Sequence, residues 1–594
     1  MANPTNKPRF WDKWFKPSGG PVSEGTSAED PKPKDQIARD PDDEEAAALA
    51  MDIPEIDIPE FDEVNDSLEK LGMGLDAADL EEASESAGSA RNAVFYLMVL
   101  SAFTKVFGFV REILLANYYG VGEVAEAYKI AQAIPMIILM IVGTGLSTGF
   151  IPAYNKADAK SGEKSADRFT SNIMNIVVIF ALIFCIIVNL FPNLFVKLFA
   201  SGFEGEKLAI TAMFTRVAVF GTVFSMMSYI LQPYLNIKEN FWVPAMVGIP
   251  MNLVFFASYP LAKNINIMIL PIGIVVSVLV QVVWMWPFAK KEGFHYKPVV
   301  DFKDPSLRHL LLLAAPVILG VAVNQINMIV DKNMASWVID GGVAALDYAS
   351  RMNGFVEGIF IYSVIAVVYP RISKMVIAKQ YKGVEATMTN SLVTITLVVV
   401  PCIIGLMVFS EPIIRLLFFR GEFDERAVAM TAGGMFWYAP GLMGFGIRGV
   451  VSRVFYSMDD AKTPTINAAI AVGVNIVLNI ILSMVMGLNG LALATSIASI
   501  LGSILLMISL RKKGNLKFEY KELLIKILKI TGASVVMGIV AYAAYILLSY
   551  LVDYRIGLIL AIGVAVVVYA GIVLLLKIPE VDEAVAMIRA KLKK

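Results

Sequence analysis

From about residue 92 onward, long apolar stretches alternate with short polar connections. Ile173–Phe191, Ile269–Phe288, Ser391–Phe409 and Leu558–Leu576 are near or above the roughly 18–20 residues that cross a bilayer. Lipid offers the backbone no hydrogen-bond partner, so such runs must be helices or strands of closed barrels. Barrel strands would alternate apolar and polar residues with period two, and these runs do not. The pattern predicts helices at 92–119, 123–150, 168–195, 209–236, 241–262, 268–289, 307–338, 343–372, 387–409, 425–455, 463–485, 488–510, 526–551 and 555–577. The expected fold is therefore all-α and integral to a membrane, with about fourteen transmembrane helices.

The chain also repeats itself. Phe150-Ile-Pro152, at the end of the second predicted helix, matches Val368-Tyr-Pro370 at the end of the eighth. Tyr234–Pro244, between helices four and five, matches Val454–Pro464, between ten and eleven, both offsets being about 220 residues. Six helices followed by six of the same topology form a parallel repeat about an axis along the membrane normal, with substrate between the halves near the midplane. The expected organisation is a tail over 1–88, a first lobe over 89–300, a second over 301–513, and two extra helices with a basic end over 514–594.

Composition agrees with that picture: 57% of the 594 residues are hydrophobic and 17% are charged, too little charge to cover a soluble surface of this size. Residues 1–88 differ; they are polar, acidic and Pro-containing, a composition that cannot bury a core, and no secretory leader is read there. Within them Arg9–Lys16 is basic and aromatic, suited to an anionic membrane surface, and the tail is a candidate docking segment for cell-wall or division proteins. With the N-terminus inside, the inward connections carry Lys156, Lys160, Lys164, Lys290, Lys291, Arg371, Lys374 and Arg511–Lys513. The outward ones carry few basic residues, among them Lys197, Lys263 and Arg420. That bias supports a multi-pass protein with both termini cytoplasmic. Cys185 and Cys402 each lie in an apolar run, which argues against a disulfide framework. His295 and His309 share one basic loop with no Cys partner, so no metal site is expected.

An ionisable group inside a span is costly unless it faces a cavity or a partner. The candidates in the first half are Lys105, Arg111, Glu112, Glu126, Lys129 and Arg216; in the second they are Asp331, Lys332, Asp347, Arg351, Glu357 and Arg448. Asp347 and Arg351 are spaced to pair along one helix face, as are Glu126 and Lys129. Asn324, Asn327 and Asp331 form a polar stripe. The competing reading is interhelical salt bridges, or side chains snorkelling from helix ends; it weighs least against Lys332 and Arg351, deep in their spans. If the basic residues converge, the cavity suits an anion, and phosphate or pyrophosphate is the natural match.

At this point the residues resemble a family. Lys105-Val-Phe-Gly-Phe-Val-Arg-Glu112 is similar to the first-helix motif of the MurJ (MviN-type) lipid II flippases. Ala315–Gly320, Asn324–Asp331, Ala345–Arg351, Gly358–Phe360, Leu417–Phe423 and Phe455–Pro464 follow in the family's order over residues 90–577. The resemblance implies the fold of the multidrug/oligosaccharidyl-lipid/polysaccharide exporter superfamily, two six-helix lobes plus two helices that form a groove for a lipid tail. It implies flipping of undecaprenyl-pyrophosphate-linked peptidoglycan precursor across the bacterial cytoplasmic membrane, with no covalent chemistry. The family's cavity arginines map onto Lys105, Arg111 and Arg351. Three positions depart: an arginine of helix two falls near Leu139 or Met140, Glu126 stands for Asp, and Ser350 stands for Asp. Some relatives hold sodium between helices seven and eleven, which makes Asp331 and Asp460 a candidate cation site.

The expected mechanism is alternating access. A lipid-linked oligosaccharide would bind by its pyrophosphate to Lys105, Arg111, Lys332 and Arg351, with Glu126, Lys129, Asn324, Asn327, Asp347, Glu357 and Arg448 supporting or gating. No cofactor is expected beyond Na+ or H+ as coupling ion, and no nucleic-acid partner. The alternatives are a polysaccharide-unit flippase of the same superfamily, a cation-coupled drug antiporter, which would have twelve helices and a carboxylate-lined cavity, and a membrane scaffold or enzyme. No nucleophile–base arrangement favours an enzyme, and a scaffold would not need buried Lys332 and Arg351.

Overall fold

The structure is a computed structural model and describes residues 103–513, 520–576, 578–582 and 585–586. The expectations for the N-terminal tail, including Arg9–Lys16, lie outside the described residues. Among the described residues there are helices and no strands. The first half comprises α1 (103–119), α2 (Glu123–Ser161), α3 (Glu163–Leu190), the short α4 (Pro192–Phe199), α5 (Gly205–Ala218), α6 (Gly221–Ile237), α7 (Trp242–Met246), α8 (Gly248–Asn264) and α9 (Ile269–Lys291). The second comprises α10 (Pro305–Val338), α11 (Gly342–Val356), a π-helical turn over Glu357–Ile361, α12 (Tyr362–Ile377), α13 (Tyr381–Val408), the short α14 (Ser410–Phe418), α15 (Glu425–Tyr438), α16 (Gly441–Ser457), α17 (Lys462–Met486) and α18 (Leu488–Lys513). A final hairpin, α19 (Tyr520–Leu551) with α20 (Tyr554–Leu575), packs along α13.

Ten described helices are long and apolar enough to cross a membrane, eleven if the bent pair α5–α6 is one span; fourteen is the number that the hydrophobic pattern alone predicts. The other three predicted spans are also helical, as α1, α10 and the pair α15–α16, and they carry Lys105, Arg111, Asp331, Lys332 and Arg448. Several predicted helices are interrupted. The fourth bends by 42° between Ala218 and Gly221, the fifth breaks at Val247, and the tenth breaks before Gly441. The third ends at Leu190 because Pro192 lacks the N–H that would continue it, and it restarts as α4.

The repeat is visible in the backbone. Left-handed residues recur at Glu239 (φ 59°) and Asp459 (φ 58°), at Gly120 and Gly341, and at Gly162 and Lys379. The Glu239 turn is closed by Asn240 N–H donating to the Leu235 carbonyl at 2.9 Å, and the Asp459 turn by Asp460 N–H donating to the Phe455 carbonyl at 2.9 Å. The same local hydrogen bonding therefore follows the two matching sequence segments.

Packing distinguishes the two ends of the bundle. At the end that holds the α1–α2 and α10–α11 connections, one apolar cluster unites both halves, with Leu115, Tyr128, Phe255 and Tyr259 against Tyr348, Phe418 and Phe423. At the end rich in lysine there are two clusters, and Leu307 and Leu310 of α10 cross from the second half into the first of them. Phe150, Phe169 and Tyr234 anchor the first, and Ile372, Met388 and Phe455 the second. Within the second half α16 and α18 touch closely: a Cβ on Gly444 would stand 2.5–2.6 Å from the backbone of Ser499 and Ile500. Gly444→Ala should therefore cost about 1–3 kcal/mol through overpacking, read as a lower unfolding temperature of the detergent-solubilised protein; an unchanged temperature would contradict this packing.

Candidate functional site

Between the halves lies a cavity of about 940 Å³. Lys105, Arg111, Lys332 and Arg351, the four predicted binding residues, all line it, as do Lys129, Asp347, Glu357, Arg448, Asn327 and Asp331. Helical spacing explains the convergence. On α1 the positions 105, 108, 111 and 112 share one face, and on α11 the positions 347, 350, 351 and 354 do the same. The π turn then inserts its extra residue, and Glu357, Gly358 and Ile359 all reach the cavity wall. Arg216 is exposed on α5 and takes no part in this lining.

Two carboxylates organise four of the cations. Glu112 accepts from Arg111 Nη2 at 3.0 Å and forms a short ion pair with Lys129. Asp347 accepts from Lys129 at 2.7 Å and from Lys332 at 3.1 Å. Arg351 Nε lies 3.8 Å from Asp347 and 4.0 Å from Glu112. Lys129, with its side chain 2% exposed, also sits 4.6 Å from the Tyr348 ring centre. The expected Asp347–Arg351 contact along one helix is present. The expected Glu126–Lys129 pairing is not, because Lys129 turns to the carboxylates of α1 and α11. With all side chains ionised, six cations and four carboxylates line the cavity, so it attracts anions.

Glu126 lies instead at the joined end. It is fully buried and accepts from the Val343 N–H at 2.9 Å, and it pairs closely with Lys207, which also reaches Asp340 at 3.1 Å. A first-half carboxylate thus caps the start of α11. Around it Glu422 N–H donates to the Asn117 carbonyl at 3.0 Å, Lys263 pairs with Glu422 at 2.9 Å, and Arg426 donates to the Asp340 carbonyl at 2.8 Å. Gly120 (φ 55°) allows its chain to press against the Glu422 backbone. These contacts close the cavity at this end.

Asp331 and Asp460 are not brought together. Asp460 lies in the α16–α17 turn, where Lys513 Nζ donates to it at 2.8 Å and Thr463 Oγ1 at 2.6 Å. Burial pushes its pKa up, but these donors outweigh that and hold it at about 2. Asp331 gathers a different set: Asn479 donates to Oδ1 at 2.6 Å and Asn327 to Oδ2 at 3.2 Å. The Asn475 amide nitrogen donates to Asp331 Oδ1 at 3.1 Å and to Asn327 Oδ1 at 2.8 Å. Asp331 thus gathers amide donors from α10 and α17 without Asp460. The Asn324 side chain lies outside the described residues.

Lys207, Asn475 and Asn479 were not singled out from the sequence. Lys207 reads as an ordinary loop lysine. Asn475 and Asn479 carried a usable signal, two amides four residues apart in an otherwise apolar helix.

Comparison with known proteins follows the same lines. A family model described as lipid II flippase MurJ matches residues 115–565. A probable lipid II flippase MurJ from Vibrio cholerae is 33% identical over 245 residues, 41% of this chain and 47% of the relative, so that alignment spans about half its length. A probable lipid II flippase MurJ from Rickettsia prowazekii is 25% identical over 503 residues, 82% of this chain and 98% of the relative. Among solved structures, a lipid II flippase MurJ in an inward closed conformation aligns with TM-score 0.69 and 27% identity, covering 80% of this chain and 98% of that one. An inward-facing multidrug resistance MATE family transporter of the MOP superfamily aligns with TM-score 0.59 and 13% identity, covering 69% and 96%, and supports the fold alone.

Removing Glu126 leaves buried Lys207 facing only Asp340 and unpairs the Val343 N–H, a change that costs about 3–5 kcal/mol for a buried pair. In a Cys185→Ser/Cys402→Ser background, Gly354→Cys reports access to the cavity. Glu126→Ala should raise its labelling by an impermeant maleimide from the joined end severalfold. Unchanged labelling would show that Glu126 does not hold this end shut.

Proposed function

This chain belongs to the MurJ family of lipid II flippases, and from that premise and its charged cavity we infer that it carries lipid II across the bacterial cytoplasmic membrane. The observation that carries the reading is the four-cation cluster on Glu112 and Asp347, which holds two more positive charges than negative ones between the two halves. A pyrophosphate brings about that much negative charge and several acceptor oxygens, and Arg and Lys are its natural donors.

The basic end faces the cytoplasm, as the lysine bias of the connections indicates, and both termini lie there. The headgroup enters from that end while the polyprenyl chain stays in lipid, along the groove beside α19 and α20. Its phosphates compete with Glu112 and Asp347 for Lys332 and Arg351, which loosens the link between halves. The cytoplasmic side then closes, the Glu126 latch parts, and the headgroup leaves outside. A Na+ ion or a proton at Asp331, with Asn327, Asn475 and Asn479 around it, would supply the coupling charge. Residues 1–88 are the candidate contact for cell-wall or division proteins.

Complementation tests the cargo. The gene should rescue cells depleted of their own lipid II flippase, and Lys332→Ala with Arg351→Ala should abolish rescue. Each lost charge-assisted bond is worth about 1.5–3 kcal/mol, so lipid II binding to the purified double variant should fall at least about tenfold. Unchanged binding would overturn the reading. For the ion, Asp331→Asn should remove the dependence of lipid II transport on Na+ in proteoliposomes; transport with the wild-type dependence would exclude Asp331.

A further inference from the structure

Not all of the cavity's cations are engaged. Arg111, Lys129, Lys332 and Arg351 each lie within 4.0 Å of Glu112 or Asp347, so an incoming anion must compete for them. Lys105 and Arg448 differ: among the described residues neither makes an ion pair or a side-chain hydrogen bond. The Arg448 guanidinium stacks 5.0 Å from the Phe445 ring centre and feels Glu357 only through a longer-range electrostatic interaction. Lys105 Nζ comes within 3.7 Å of where a Cβ of Gly358 would stand. Both cations thus border one feature, the π turn Glu357–Ile361, from opposite halves of the molecule, Lys105 on α1 and Arg448 on α16. Single π turns are found mostly where a helix is shaped for function.

We propose that Lys105 and Arg448, set against this π turn, form a second anion-binding subsite that takes a carboxylate of the substrate's peptide. The assignment rests on lipid II as cargo. Charge decides which group goes where. The Glu112–Asp347 cluster has an excess of two positive charges, which matches a pyrophosphate. The π-turn site has two cations against Glu357, an excess of one, which matches a single carboxylate. Gly354 and Gly358 leave the wall beside it without side chains, and a Cβ at Gly354 would meet nothing within 4 Å, so a peptide can lie against the backbone there. An Arg fork suits a carboxylate bidentately, and Arg448 has no carboxylate partner to release first.

The test uses the full chain in lipid nanodiscs and three probes: lipid II, undecaprenyl pyrophosphate without sugar or peptide, and lipid II with its peptide carboxylates amidated. Arg448→Ala should weaken lipid II binding about tenfold, the value of one charge-assisted contact. It should change undecaprenyl pyrophosphate binding by less than about twofold, which also certifies that the variant is folded. Amidation should weaken wild-type binding by the same factor and leave Arg448→Ala unaffected, because the two changes remove one contact. Arg448→Lys should recover part of the loss. Equal weakening of all three probes would place the pyrophosphate at Arg448 and overturn the proposal, as would wild-type affinity of Arg448→Ala for lipid II. A wild-type chain that binds undecaprenyl pyrophosphate and not lipid II would remove lipid II as cargo, and the subsite with it.

Discussion

Glu112 and Asp347 hold four cations at bilayer depth, and the rest of the molecule is arranged around that bond set. A lone charge in a span costs several kcal/mol or finds a partner, and here each carboxylate serves residues of both halves. Lys129, of the first half, reaches Asp347 of the second, while Arg351 of the second approaches Glu112 of the first. The cluster therefore does two things at once. It makes the buried cations tolerable, and it joins the lobes at the place where they would separate. Breaking one partner of such a set costs more than the set contributes to stability, so a ligand that replaces a carboxylate is a more natural key than thermal opening.

The asymmetry of the apolar packing sets what that key can release. At the joined end one hydrophobic cluster crosses both halves, and buried Glu126 adds a directed bond to the Val343 N–H. At the basic end the shared apolar contact is confined to Leu307 and Leu310 of α10 against the first-half core, while the other core stays within the second half and the C-terminal hairpin. Reversing the arrangement requires the shared cluster to divide, and the short helices α4 and α14 and the breaks before Gly221 and Gly441 occur at equivalent places in both halves. A break costs backbone hydrogen bonds only if they are left unpaired. Placing it at corresponding positions of the two lobes lets both bend alike.

Hydrophobicity made the helices legible, because a bilayer enforces run length and forbids unpaired backbone polar groups. It could not show the breaks inside them, which depend on single glycines and on which neighbour presses against them; Gly441 against Ser496 is such a case. The cavity was legible through charge, since Lys105, Arg111, Lys332 and Arg351 were conspicuous in apolar surroundings. Of their partners only Asp347, four residues before Arg351 on one helix, was legible. Spacing rules see one helix at a time, so Glu126 was matched to Lys129 three residues on, whereas its companions are Lys207 and Val343. Asp460 was misjudged for the same reason: its partner Lys513 is 53 residues away at the end of α18, and the turn that holds Asp460 lies well along α17 from Asn479.

An excess of positive charge in the empty cavity also bears on how the cycle returns. A pyrophosphate bound there, as proposed above, would cancel the surplus of the four-cation cluster, so the loaded carrier would move little net charge through the field, whereas the empty one would move about two. At about 2.3 kcal/mol per charge per 100 mV, a membrane negative inside favours the empty cavity facing the cytoplasm by nearly 5 kcal/mol, reduced by whatever fraction of the field the cluster does not cross. The cations proposed to select the cargo would therefore also bias the unloaded protein toward the cytoplasmic side. Outward release must then be driven by something else.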